Sequence, residues 1–140
     1  MSTFTEEYLY PHGFEDGGSD TPVREFCVAI EGHLDATADE TNAKKIIVGD
    51  HKTIAGDVAT SINVQRIHYS VGGFTSMMLE YDGDATHDSK TLAHLGAITA
   101  EGDIDYRKFG GHIGYGDISL TTQGGSAADT YSIKIYFRVK

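Results

Sequence analysis

The chain has 140 residues, 39% of them hydrophobic, with 21 acidic against 11 basic side chains and a net charge of −10. That length suits one domain with a core of its own, and the acidic balance opposes binding to phosphate backbones. A single cysteine, Cys27, excludes an intramolecular disulfide framework, and 17 glycines against two prolines, without a collagen repeat, favour the many turns of an all-β chain.

The N-terminal Met-Ser-Thr-Phe-Thr-Glu-Glu has neither a basic n-region nor an apolar h-region, and no apolar run reaches membrane-spanning length. The expectation is a soluble protein made in a cytosol, with no membrane partner. Charge is unevenly placed: residues 1–60 carry −8 and residues 61–140 carry −2. The adjacent basic pairs are Lys44-Lys45 and Arg107-Lys108, too little for a nucleic-acid patch.

Residues 1–20 read as an N-terminal arm preceding a single domain over 21–140. Phe4, Tyr8, Tyr10 and Phe14 sit among Glu6, Glu7, Glu15, Asp16 and Asp20, with Pro11, Gly13, Gly17-Gly18 and, just beyond, Pro22 as breakers. No period of 2 or 3.6 persists, so the arm is irregular or extended. Disordered tails are poor in aromatics, so this one is expected to dock, on its own domain or on a neighbouring chain. Deleting residues 1–18 should leave a folded domain.

Thr21 to Leu34 is the first strand of the domain, with Phe26, Val28 and Ile30 on one face and Cys27 and Ala29 on the other. Both faces are apolar, as in a covered sheet, and Cys27 reads as a buried, inert thiol. Asp35 to Lys45 is a loop or one or two helical turns. Ile46-Ile47-Val48 makes a short strand, and Thr53 to Asn63 a weak edge with Ile54, Val58 and Ile62 as its apolar points. Val64 to Tyr81 alternates on both sides of Gly72-Gly73, the pattern of a hairpin. Ile67, Tyr69 and Val71 share one face of its first run, and Met77, Leu79 and Tyr81 one face of its second.

The run Asp82-Gly83-Asp84-Ala85-Thr86-His87-Asp88 places acids as a calcium loop does, but His87 stands at the turn position and Ala93 at the twelfth. It is read as a solvated turn. Leu92 to Thr99 is a strand broken at Gly96. Glu101 to Gly111 points Ile104, Tyr106 and Phe109 inward. His112-Ile113-Gly114-Tyr115-Gly116 is glycine-rich without a phosphate-binding pattern. Gly116 to Thr122 returns to strand and joins the last one as a hairpin. In that last strand Tyr131, Ile133, Ile135, Phe137 and Val139 alternate with Ser132, Lys134, Tyr136, Arg138 and Lys140. About eight strands at such spacings predict an antiparallel β-sandwich or jelly-roll-like domain.

No constellation announces catalysis. His12, His33, His51, His68, His87, His94 and His112 are scattered, with no pair spaced to present two metal ligands from one segment. Ser70, Ser76 and Ser119 lie within strand patterns rather than on strand-to-helix turns. Glu80 with Asp103 or Asp105 is the conceivable carboxylate pair for glycoside hydrolysis. A sugar platform would have to use Tyr10, Tyr115 and Tyr136, because Trp is absent. The reading is of a protein that is not an enzyme, with no catalytic, cofactor-binding or metal-binding residues and no cofactor.

Five stretches, in order, carry a family resemblance: Val64-Gln-Arg-Ile-His-Tyr-Ser, Leu79-Glu-Tyr-Asp-Gly, Asp105-Tyr-Arg-Lys-Phe-Gly-Gly, Gly116-Asp-Ile-Ser-Leu-Thr-Thr and Asp129-Thr-Tyr-Ser-Ile-Lys-Ile. Together, over residues 64–140, they resemble small virion structural proteins of tailed phages of aquatic bacteria, cyanophages among them. The resemblance implies a capsid decoration, or cement, protein that binds the major capsid protein on the capsid exterior, assembles in the host cytoplasm and forms a homotrimer. A tail or adaptor component is the alternative within the virion, and a carbohydrate- or ligand-binding sandwich module the alternative outside it.

Overall fold

The computed structural model describes residues 2–11, 25–95 and 99–140. Among these are ten strands: β1 (Thr3–Tyr10), β2 (Phe26–His33), β3 (Ala43–Ile46), β4 (Ser61–Gly72), β5 (Ser76–Tyr81), β6 (Lys90–His94), β7 (Thr99–Asp105), β8 (His112–Tyr115), β9 (Ile118–Gln123) and β10 (Thr130–Val139). They form two antiparallel sheets. The first runs β1-β2-β10-β4-β7 with β8 also on β4, and the second runs β3-β9-β5-β6. The expected all-β sandwich is what the chain forms. No helix among the described residues is long and apolar enough to cross a membrane.

Alternation sets the core. Phe26, Val28 and Ile30 of β2 and Tyr131, Ile133, Ile135 and Phe137 of β10 are buried from the first sheet. They meet Met77, Leu79 and Tyr81 of β5 and Ile118 and Leu120 of β9 from the second. In β4 the buried positions change parity, from Ile62 and Val64 to Ile67 and Val71. The reason is a bulge at Gln65: Tyr136 pairs with Arg66 but Phe137 with Val64. One extra residue flips every later side chain to the other face, so the bulge keeps both halves of the strand facing inward.

Two expected hairpins are instead crossings between sheets. The runs flanking Gly72-Gly73 do not pair: β4 lies in the first sheet and β5 in the second. Phe74, buried between them, carries the chain across the core, and Gly73 turns it at φ 100°. A Cβ at Gly73 would collide with the carboxylate of Asp129. Asp129 belongs to the second crossing, from β9 to β10, whose backbone is held by Leu34 through bonds of 2.9 Å to Asp129 O and 2.8 Å from Ala128 N. A period of two fixes which face of a strand is buried; it does not fix which strand lies beside it.

Other boundaries shift in smaller ways. Thr53 to Asn63 is no edge strand, but an isolated Lys52–Val58 bridge followed by the start of β4. Val48 opens a 3-10 turn, Val48–Asp50, after β3. Phe109 does not face the core; it is 84% exposed. The break expected at Gly96 lies outside the described residues.

The arm divides. Thr3–Tyr10 is a regular edge strand, paired in register with β2 from Thr3–His33 to Tyr8–Val28. It takes the extended form and docks on its own domain, so the irregular alternative does not hold there. Only Tyr8 of β1 is buried. The arm beyond Pro11 lies outside the described residues.

Candidate functional site

The first sheet's register lines up one row of side chains across it. Tyr10 pairs with Cys27, Cys27 with Tyr136, Tyr136 with Arg66, and Arg66 with Asp105. Beside this row lies a cavity of about 290 Å³ lined by Tyr10, Glu25, Cys27, Gln65, Arg66, Arg107 and Tyr136, with the almost fully buried Phe26 and Phe137 behind it. Its lining brings two tyrosines, a thiol and charged groups to one concave surface, which makes it the candidate site.

Its charges are already paired. The Arg66 Nε donates to both oxygens of Asp103, at 2.9 and 3.0 Å, and its Nη2 reaches Oδ2. Arg107 Nε and Nη2 donate to Asp105 at 2.9 and 2.6 Å. Arg138 clamps one Glu25 oxygen at 2.9 and 2.7 Å. The Arg66 guanidinium also lies 5.8 Å from the centre of the Tyr136 ring, a cation–π distance. Asp103 and Asp105 are held below the usual carboxylate range by hydrogen bonds from Arg66 and Arg107, respectively. Burial raises the Tyr136 phenol, and burial raises the Cys27 thiol against the opposing pull of its hydrogen bond to Tyr136 and of Lys134. Each shift moves its group away from neutrality, so the carboxylates stay anionic and the thiol and phenol stay protonated at pH 7.

One consequence is testable directly. Thiolate is the reactive form, so the half-buried Cys27, its thiol pushed up by burial, should react with an aromatic disulfide reagent at pH 7.5 more slowly than a free thiol of unshifted pKa. Stopped-flow or spectrophotometric thiol titration of the native protein measures this. Reaction at the rate of free cysteine would show the thiol is neither shielded nor shifted.

The other candidates from the sequence scatter. Glu80 lies on β5 of the second sheet, opposite Thr91 and Ser119, whereas Asp103 and Asp105 lie on β7 of the first. The conceivable carboxylate pair is therefore not brought to one cleft. Tyr10 and Tyr136 do meet at the cavity, but Tyr115 does not; it stacks on His87 with ring centres 3.5 Å apart. Ser119 is buried and donates to Asp82 at 2.5 Å. His51 is buried, His112 stacks on Tyr81, and His68 lies 3.8 Å from Asp103, a carboxylate already held by Arg66. His12 is outside the described residues. Among the described residues no three of His, Cys, Asp and Glu cluster to hold a metal.

The turn after β5 closes on itself: Asp84 accepts from the Thr86 backbone at 2.9 Å and from His87 at 2.8 Å. The two basic pairs give no patch either. Lys44 pairs with Asp117, Lys45 with Glu40, and Arg107 with Asp105.

Sequence reading missed the cavity because its walls come from β1, β2, β4 and β10, far apart in the chain. The available signal was the polar face of the last strand, where Lys134, Tyr136 and Arg138 alternate. It showed an exposed polar row without its partners. No protein-family model matches this chain, and no curated protein matches it.

Proposed function

We propose that the protein is a non-enzymatic structural component of a phage virion, a decoration or cement protein that binds the major capsid protein and stabilises the shell from outside. Its setting would be the capsid exterior, after assembly in the host cytoplasm, as a homo-oligomer of three copies. The resemblance over residues 64–140 supplies the setting.

The observation that carries the reading is where exposed apolar side chains lie. Phe4, Leu9 and Tyr10 sit on β1 at one edge of the first sheet. Phe109, Ile113 and Tyr115 sit on the turn and strand along its other edge. Apolar contacts on two sides suit a part that touches several neighbours; a module for one small ligand needs a single site. The cavity's charges, locked into pairs, offer rigid complementarity rather than proton transfer. The glycan-binding alternative needs its tyrosines on one platform, and they occupy two places.

The test is the protein's copy number and position in a map of the purified virion. High copy on the shell, with loss of particle stability when the gene is disrupted, is the expected result. Roughly six or twelve copies per particle at a vertex or along the tail would replace this reading with the tail or adaptor one. Absence from the particle would end both.

A further inference from the structure

His112 opens the short strand β8, on the side of the sandwich where Tyr81 of the second sheet meets the first. Its ring lies parallel to that of Tyr81, with centres 5.6 Å apart, and tilted against that of Tyr106 at 5.1 Å. Tyr81 comes from β5, and Tyr106 directly follows β7. The histidine is half-buried, and its Nδ1 is shut off from solvent with no hydrogen-bond partner. Buried polar atoms in folded proteins are nearly always paired, so this one calls for a reason. A phenyl ring would fill the same place without it.

The surroundings favour a neutral ring. Burial holds the imidazole below its ordinary pKa of 6.5, and the Lys90 ammonium lowers it further. Lys90 reaches across from β6, its Nζ donating to Ile113 O at 2.8 Å. The Tyr81 and Tyr106 phenols are pushed up by burial and stay uncharged. From β4 the register partner is Val64. The face of Tyr81 offers a cation some attraction, yet a proton arriving at Nδ1 finds no acceptor.

β8 is the element such a charge would dislodge. It is four residues long and bracketed by glycines in the left-handed region, Gly110 and Gly111 at φ 80° and 96° before it and Gly116 at φ 79° after it. It pairs with β4 along one edge. Towards the second sheet, side chains hold its backbone: the Tyr81 hydroxyl donates to His112 O at 2.5 Å, and Lys90 to Ile113 O.

We propose that His112 is an acid-sensitive latch on β8. Neutral, its ring closes β8 against Tyr81 and Tyr106; protonated, it swings out, and β8 loosens from the second sheet and frays from β4. The unfolded chain takes up a proton at His112 before the folded one does. This contribution to stability is therefore whole above pH 6.5 and is lost as pH falls below it. Ile113 and Tyr115 of the exposed apolar edge ride on β8, so acid reshapes that edge. The latch is a property of the isolated protein and does not rest on the virion reading.

Two-dimensional NMR and hydrogen exchange on the full chain, between about pH 8 and about pH 5.5, test it. The His112 ring should titrate below its ordinary value. Corrected for intrinsic exchange, protection of the β8 amides should fall at least about tenfold more than that of the β10–β4 ladder. His112→Phe keeps the stack without a titrating nitrogen, and His112→Gln removes both. In each, the excess loss of β8 protection on acidification should vanish, with the remaining histidines as an internal control. A His112 ring that titrates at or above its ordinary value overturns the proposal. So does β8 protection that merely follows the ladder in the wild type, or an excess loss that survives in either variant.

Discussion

Tyr8→Ala is expected to destabilise the folded protein by about 3–5 kcal/mol, the range for truncating a large aromatic in a core. Tyr8 lies on an edge strand, yet it is only 8% exposed. Its ring packs edge-on against Phe26 and Phe137, with centres 6.3 and 6.5 Å away. Phe26 and Phe137 in turn stack on each other at 5.2 Å. The Tyr8 hydroxyl meets His51 Nε2 at 2.6 Å, and His51 Nδ1 meets Ile47 O at 2.8 Å. A carbonyl accepts only, so Nδ1 carries a proton and donates to Ile47 O, which fixes the ring with Nε2 against the Tyr8 hydroxyl.

β1 is therefore fastened to the body through a buried aromatic cluster, and deletion of the N-terminal segment should destabilise the domain rather than merely loosen assembly. Tyr8→Phe keeps the ring and removes the hydroxyl, and should cost about 0.5–1.5 kcal/mol. Urea unfolding of the three proteins, with slopes compared, reads these differences. A Tyr8→Ala protein within about 1 kcal/mol of wild type would restore the view of residues 3–10 as a detachable arm.

The same strand shows why parts of the fold were legible and parts were not. β10 and β2 lie in the middle of a sheet with one face in the core, so their apolar residues must alternate, and they do. β1 lies at an edge and buries one side chain in eight. Nothing forces alternation on Thr3-Phe4-Thr5-Glu6-Glu7-Tyr8-Leu9-Tyr10, and its sequence looks patternless. The partner of β4 was hidden for a different reason. Its alternation suits a hairpin or a crossing equally, and what decides between them is Phe74, an apolar residue inside the turn that has to be buried. The bulge at Gln65 was concealed too, although it leaves a trace: apolar residues at 62 and 64, then at 67 and 71. The cavity could not be read at all, because its walls are assembled by register and not by spacing.

Lys45→Met is expected to cost about 3–5 kcal/mol, the loss typical of breaking one side of a buried ion pair. Lys45 sits where the β3–β9 register slips between Lys44 and Ile46, and its side chain is only 3% exposed. Its Nζ lies 2.5 Å from Glu40 Oε1 and 3.6 Å from Glu6 Oε1, and 5.6 Å from the centre of the Phe4 ring. The second Glu40 oxygen accepts from the Tyr131 hydroxyl at 2.5 Å. Burial, and then Glu40, push the Tyr131 phenol far up, so it remains a donor at any ordinary pH. Removing the ammonium leaves Glu40 buried with a phenol and no counter-charge beside it. The compensating change is Glu40→Gln, which keeps an acceptor for Tyr131 and removes the charge. The double variant should recover most of the loss, a coupling of at least about 1 kcal/mol in a double-mutant cycle.

The network joins β3 of one sheet to β10 of the other, and through Glu6 and Phe4 it also holds β1. Lys45→Met should therefore lower hydrogen-exchange protection in β1 more than in the β10–β4 ladder, which is tied by the core. Additive energies with even loss of protection would mean that Lys45 is merely accommodated. Non-additive energies with selective exposure of β1 would mean that a buried lysine fastens the edge strand to the sandwich.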